Sequence, residues 1–212
     1  MSFFATYDGS SYQLTTAGFT ALVIIMIAIL LIGCAIFGGK KKFSAKQLAF
    51  SAMAIALAMV TSMIKLFDMP MGGSVTLLSM LFIVLIGYWY GLGAGLTAAF
   101  AYGILQLVVD PYIISVPQML VDYLFAFGAL GLSGLFSKSK HGLIKGYIAG
   151  VLGRYFFAFL SGWIFFGMYA PEEFPNAVVY SLAYNGAYLG AEALITLSLI
   201  HISEPTRQEA IS

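Results

Sequence analysis

Seven apolar runs, at about 16–37, 47–67, 75–90, 92–109, 116–136, 144–166 and 177–200, occupy most of this 212-residue sequence and exclude nearly every soluble fold. Hydrocarbon offers no partners to backbone N–H and C=O groups, so a segment entering a bilayer must close its hydrogen bonds as a helix or within a closed barrel. Continuous runs near 20 residues have the length of a spanning helix, whereas barrel strands alternate polar and apolar positions. Charged residues make up 9% of the chain, against roughly a quarter in a soluble domain. The expected fold class is therefore all-α, a polytopic membrane helical bundle, with the runs 75–90 and 92–109 short. Turn chemistry separates the runs: Gly38-Gly39, Met69 to Gly73, Gly91, Asp110-Pro111, Ser137 to Gly142 and Pro171 to Pro175.

Orientation follows from the basic residues. Lys40, Lys41, Lys42 and Lys46 fill the first connection, and Lys138, Lys140 and Lys145 fill the fifth, which the positive-inside rule assigns to the cytoplasm. Alternation then puts the N-terminus, the Lys65–Gly73 loop, the Asp110–Val116 loop and the Pro171-Glu172-Glu173 loop outside, and the C-terminus in the cytoplasm. The run from Thr16 to Phe37 is too long, and its lysines stand on the wrong side, for a cleaved signal, so it is expected to be a retained helix. The segment 201–212 changes composition abruptly and reads as a non-native tail. A net charge of +1 gives no field to steer nucleic acid. The single cysteine, Cys34, permits neither an internal disulfide nor a cysteine metal cluster.

An ionisable group at bilayer depth is costly unless it is paired or faces a cavity, which singles out Asp122, Arg154 and Glu192. Asp122 reads either as an ion-pair partner for Arg154 or as the acceptor for a cationic or amine-bearing ligand. Arg154 is expected to tie helices together; Glu192 receives no role. In the last run Ser181, Tyr184, Asn185 and Tyr188 recur at helical spacing, and this polar stripe must face protein or ligand. Tyr180 sits close enough to the outer surface to serve as an interfacial anchor. Trp163, Phe165, Phe166 and Tyr169 form either an aromatic belt or a stacking wall for a flat ligand. Ala52/Ala56 and Ala54/Ala58, each four apart, flatten the second run for close approach of a helix, from this chain or from another.

Met69 to Val75, Pro117 to Gly131, Arg154-Tyr155 with Ser161-Gly162, Phe165 to Pro171 and Tyr180 to Asn185 together resemble the thiamine-specific S component of energy-coupling-factor (ECF) transporters. The likeness runs from about Lys46 to Leu199. It implies a six-helix S-component core that captures thiamine at the outer face of the cell membrane and partners a transmembrane T component and two cytoplasmic ATPase subunits. Residue by residue, it implies that Asp122 is a ligand-contacting carboxylate with Tyr123 beside it. Tyr112 matches an aromatic of the outer loop, Phe166 a stacking ring, and Tyr180 and Asn185 a ligand-contacting pair. Trp163 and Tyr184 complete the expected ligand set. Ala52, Ala54, Ala56 and Ala58 resemble the docking surface for the T component. Two departures stand out: the family's pocket histidine falls at Ala158, and the first run adds a helix to the usual six. The expected division is thus 1–45 for the extra helix and basic loop, 46–200 for the substrate-binding domain and 201–212 for the tail.

Catalysis is not expected. No phosphate-binding loop and no His-Glu-x-x-His motif occurs, and no histidine lies within the spans to pair with a serine. No cofactor is expected. A stand-alone ion-coupled carrier of a small aromatic amine or vitamin is the alternative. It would need a coupling-ion site, and the spans carry few carboxylates.

Overall fold

The computed structural model of the chain describes residues 4–7, 12–18, 20, 21, 24 and 43–209. The expected first span, Thr16 to Phe37, lies for the most part outside the described residues, as does Cys34. Six helices among the described residues carry the fold: α1 (Ala45–Ser62), α2 (Ser79–Tyr90), α3 (Leu92–Val109), α4 (Val116–Phe136), α5 (Gly142–Phe165) and α6 (Ala177–Glu209). Two short antiparallel hairpins accompany them, β1 (Ala5–Tyr7) with β2 (Tyr12–Leu14), and β3 (Lys65–Asp68) with β4 (Ser74–Thr76). Helices α1, α3, α4 and α5 are long and apolar enough to cross a membrane, so the helical bundle expected from the apolar runs is the observed architecture.

Helix α1 starts where the Ser44 hydroxyl accepts the Gln47 amide proton at 3.1 Å, a side-chain N-cap. Its two alanine pairs have opposite fates. Ala54 and Ala58 are buried against the bundle, while Ala52 and Ala56 are exposed. Ala54 packs with Ile86 of α2 and with Ala94 and Ala98 of α3. The expectation that all four alanines form a docking surface is thereby corrected: the Ala54/Ala58 stripe is already covered by the chain's own helices.

The run 75–90 does not begin as a helix. Its first residues form β4, paired with β3 in the register Lys65↔Thr76, Phe67↔Val75 and Asp68↔Ser74. Helix α2 therefore has only 12 residues, about 18 Å at 1.5 Å per residue. Its start is held by Glu192 of α6, for which the sequence offered no role. Glu192 is 2% exposed. Its carboxylate accepts the Thr76 amide at 3.1 Å, the Thr76 hydroxyl at 2.7 Å, the Ser79 hydroxyl at 3.2 Å and the Met80 amide at 3.3 Å. The Met80 bond satisfies one of the N–H groups that a helix start leaves unpaired, and an acidic group belongs at that positive end of the helix dipole.

Gly91, with φ +87°, turns the chain from α2 into α3 within one residue. Helices α3 and α4 then touch backbone to backbone: a Cβ at Gly131 would lie 2.6 Å from the Leu96 backbone, and one at Gly95 would lie 2.8 Å from the Gly131 carbonyl. Such small-residue contact is how helices associate in lipid, where burial of apolar area gives no drive. The interior holds Met80, Ile83, Tyr102, Leu130, Tyr147 and Leu189, each 1% exposed or less. Leu57, Val60, Leu152, Ile164 and Leu194 point outward, as lipid-facing side chains should.

Candidate ligand-binding site

Helix α4 changes its winding where the expected site residues lie. It opens as an α-helix over Val116–Met119, with Pro117 in its first turn and Ser115 accepting the Gln118 amide at 3.3 Å. It widens to a π-helix over Leu120–Phe125 and ends as a tight 3-10 helix over Ala129–Phe136. A π turn inserts about one residue and rotates the side chains after it, and such turns gather at functional sites. Asp122 and Tyr123 both lie in this one. Gln118, 1% exposed and one turn earlier, donates to Asp122 Oδ2 at 2.6 Å. The same amide group donates to the Tyr112 carbonyl at 3.1 Å, and Gln118 Oε1 accepts the Ile114 amide at 3.1 Å. Gln118 thus fixes the carboxylate and the outer loop together.

Around Asp122 lies a cavity of about 160 Å³, roughly ten times what a single water needs. It is bounded by α3, α4, α5, α6 and the β3–β4 hairpin, and the structure brings Asp122, Tyr112, Tyr123, Phe166, Tyr180, Tyr184 and Asn185 to its walls. Tyr112 and Phe166 stack at 5.8 Å between centroids and 26° between planes. On α6, Tyr180, Tyr184 and Tyr188 form a ladder one turn apart, with centroids 5.7 and 5.8 Å from one to the next. Ala158, at the place of the family's histidine, is buried in the same cavity wall.

Several of these side chains have their polar ends occupied. The Tyr123 hydroxyl accepts the Tyr112 amide at 2.8 Å and donates to the Asp110 carbonyl at 2.9 Å. Tyr184 accepts the Gly73 amide at 3.0 Å and donates to the Pro70 carbonyl, which latches the hairpin tip onto α6. The Asn185 amide group donates to the Ser181 carbonyl at 2.9 Å and hydroxyl at 3.2 Å, and its Oδ1 accepts from Tyr188 at 3.0 Å. Tyr123 and Tyr184 therefore shape the cavity through the loops they hold, and offer it their rings.

Two sequence expectations are corrected. Trp163 does not line the cavity; it is 45% exposed and stacks on Phe159 at 6.0 Å. On α5 the cavity-facing positions are 154, 158, 161 and 162, and at 100° per residue position 163 falls about 140° away from 158. Arg154 makes no ion pair within 4 Å among the described residues; its guanidinium lies over the Phe127 ring, 4.2 Å from the centroid. A ring face attracts a cation without neutralising it, so Arg154 and Asp122 share the cavity as unpaired charges. Sequence reading also missed Gln118, Gln106 and Ser161. The i, i+4 spacing of Gln118 to Asp122, and of Tyr102 to Gln106 (bonded at 2.6 Å), was the available signal for the first two.

At the outer rim, Lys65 of β3 bridges Asp68 at 3.3 Å and Asp110 at 3.2 Å, tying the hairpin to the loop after α3. Partial burial pushes the pKa of the Lys65 ammonium down, but the hydrogen bonds it donates to Asp110 and Asp68 outweigh that and hold the pKa above the ordinary 10.5. No group of three or more metal-binding side chains occurs among the described residues.

The model of a family described as thiamine transporter protein matches residues 48–212. The thiamine transporter ThiT of Bacillus subtilis (strain 168) is 36% identical, over 73% of this chain and 88% of its own length. ThiT of Lacticaseibacillus paracasei is 31% identical, over 53% of this chain and 64% of its own. A solved structure of ThiT from Listeria monocytogenes superposes with a TM-score of 0.63 at 28% identity, covering 76% of this chain and 95% of that one.

Proposed function

The chain belongs to the thiamine transporter protein family, and from that premise we propose that it is the S component of an ECF-type ABC importer, capturing thiamine or a close thiamine-related compound at the outer face for ATP-driven uptake. The observation that carries this reading is the cavity itself: a carboxylate oriented by Gln118, roofed by a latched hairpin and walled by aromatic rings. Thiamine pairs a cationic ring with an aminopyrimidine. In a site of low dielectric, Asp122 attracts the cation or accepts from the amine in a charge-assisted bond. Phe166 and Tyr112 supply stacking faces, and rings also favour positive charge. Asn185 and Tyr180 set the polar and aromatic limits of the wall on α6. Space left by Ala158 admits thiamine or a bulkier relative.

This reading puts the N-terminus outside and the C-terminus in the cytoplasm. The exposed Ala52/Ala56 stripe of α1 then faces the T component, with the two ATPases beneath. Calorimetric titration of thiamine into the detergent-purified chain is the direct test. Saturable binding with one site per chain is expected, and its absence overturns the named ligand. Uptake into vesicles should require the T component and ATP hydrolysis. Accumulation driven by an ion gradient without them would establish the secondary carrier instead.

A further inference from the structure

Two glycines of α3 meet different halves of α4. Gly95 meets the tightly wound half, where a Cβ would lie 2.8 Å from the Gly131 carbonyl. Gly103 meets the π turn: a Cβ there would overlap the Tyr123 carbonyl oxygen and lie 2.9 Å from the Phe127 Cβ. Gly103 is buried in the helix interior, between Tyr102 and Ile104. Glycine in such a place loses more conformational freedom on folding than alanine and weakens the helix, so its presence has a reason in packing.

The space of the missing side chain is filled by backbone, which cannot turn aside as a flexible side chain can. Closing hydrogen bonds over five residues instead of four makes a π turn wider than the α-helix before it, and the facing helix must give up a side chain to admit it. The Tyr123 carbonyl thus sits in a notch cut into α3. Tyr123 follows Asp122 directly, and its hydroxyl is tied at the far end to the Tyr112 amide and the Asp110 carbonyl. Phe127, the second residue at the notch, carries the Arg154 guanidinium on its ring. Asp122, Tyr123 and Phe127 line the cavity, and Gly103 stands behind them.

We propose that Gly103 is a positioning residue for ligand capture: the notch it leaves in α3 seats the Tyr123 carbonyl, permits the π turn, and through that turn aims the Asp122 carboxylate. The inference rests on the functional reading above and deepens it, because it places part of the site's affinity in a residue behind the cavity wall. A methyl group at 103 forces the Tyr123 peptide away, and the displacement passes one residue back to Asp122, whose bond to Gln118 spans only 2.6 Å. A charge-assisted contact is directional, and a shift of about 1 Å is enough to weaken it.

The test is calorimetric titration of thiamine into wild type, Gly103→Ala, Asp122→Asn and the double variant, with the unfolding midpoint of each empty protein measured alongside. Expected is an about tenfold or greater loss of affinity in G103A, and no further loss when G103A is added to D122N. The second result separates positioning from packing, since a methyl group that merely loosens the bundle weakens binding by the same factor in both backgrounds. Wild-type affinity in a folded G103A overturns the inference alone, and so does an equal loss in both backgrounds. If G103A is not recovered folded, deletion of Leu124, which removes the extra residue of the π turn, decides the matter. G103A should fold again when combined with that deletion; failure of the combined chain to fold overturns the inference. A wild-type chain that binds no thiamine overturns the functional reading together with the inference.

Discussion

The two halves of α4 are built on opposite principles. Its second half, Ala129–Phe136, is tightly wound and presses Gly131 and Gly134 onto the backbones of Gly91, Leu92, Gly95 and Leu96. Its first half is widened into a π turn and carries Gln118, Asp122 and Tyr123 around an unfilled space. In the one, affinity between helices comes from leaving side chains out; in the other, polar side chains are brought in and held by specific hydrogen bonds. A single helix thus divides stability from recognition along its length. Damage to the glycine half should appear in folding, and damage to the polar half in binding.

The largest effect should come from Gly131→Val. Its side chain has no room against Leu96, so the substitution should cost about 3 kcal/mol or more through forced separation of α3 and α4. A large fall in the unfolding midpoint is expected; a stable G131V would break the division of α4 into two roles. Next comes Asp122→Asn, which keeps the shape and removes the charge. Thiamine affinity should drop by about 2 kcal/mol, roughly 30-fold, with the unfolding midpoint little changed. Unchanged affinity would remove Asp122 from the site.

Gln118→Ala sharpens the same comparison. It leaves the carboxylate in place but unoriented, and calorimetry should show an affinity loss of about 1 kcal/mol, smaller than that of D122N. A loss equal to that of D122N would mean that orientation, and not charge, dominates. The smallest effect belongs to the rim. Because the folded pKa of Lys65 is raised, its stabilising contribution is fully present below pH 10.5 and is lost as the pH rises through that raised value. These pairs are largely solvent-exposed, so Lys65→Ala should change stability by less than about 1 kcal/mol, with the difference shrinking at high salt and vanishing at strongly alkaline pH. Thermal unfolding across that pH range checks both statements.

Of the candidate site, the parts legible in advance were those that violate the bilayer's rules. Asp122 and Arg154 stood out because a charge in an apolar run needs a reason, and both line the cavity. Asn185 stood out because a buried amide needs partners, and it has them in Ser181 and Tyr188. What those side chains touch was not legible. Arg154 found the Phe127 ring of α4 in place of an ion pair, a choice made by the neighbouring helix, and Trp163 stacks on Phe159 of its own helix, on a face turned away from the cavity.

The hairpin shows the limit of pattern reading in another way. Lys65–Asp68 is exposed along its whole length, so its residues carry no alternation of polar and apolar positions from which a strand could be read. Its partner, Ser74–Thr76, belongs by composition to the following apolar run. Glu192, 116 residues beyond Thr76, draws that segment out of the helix by capping the start of α2.

By itself, then, the sequence determined the number and approximate limits of the helices among residues 43–209, because hydrocarbon tolerates only self-satisfied backbone and only a few charges. It also pointed to the carboxylate around which a site had to be built. The tertiary structure alone decided the π turn of α4, the hairpin over the cavity, and the burial of Ala54 and Ala58 with Ala52 and Ala56 left outside. Each of these depends on which helix faces which, a matter of contacts between residues far apart in the chain, and local periodicity carries no record of them.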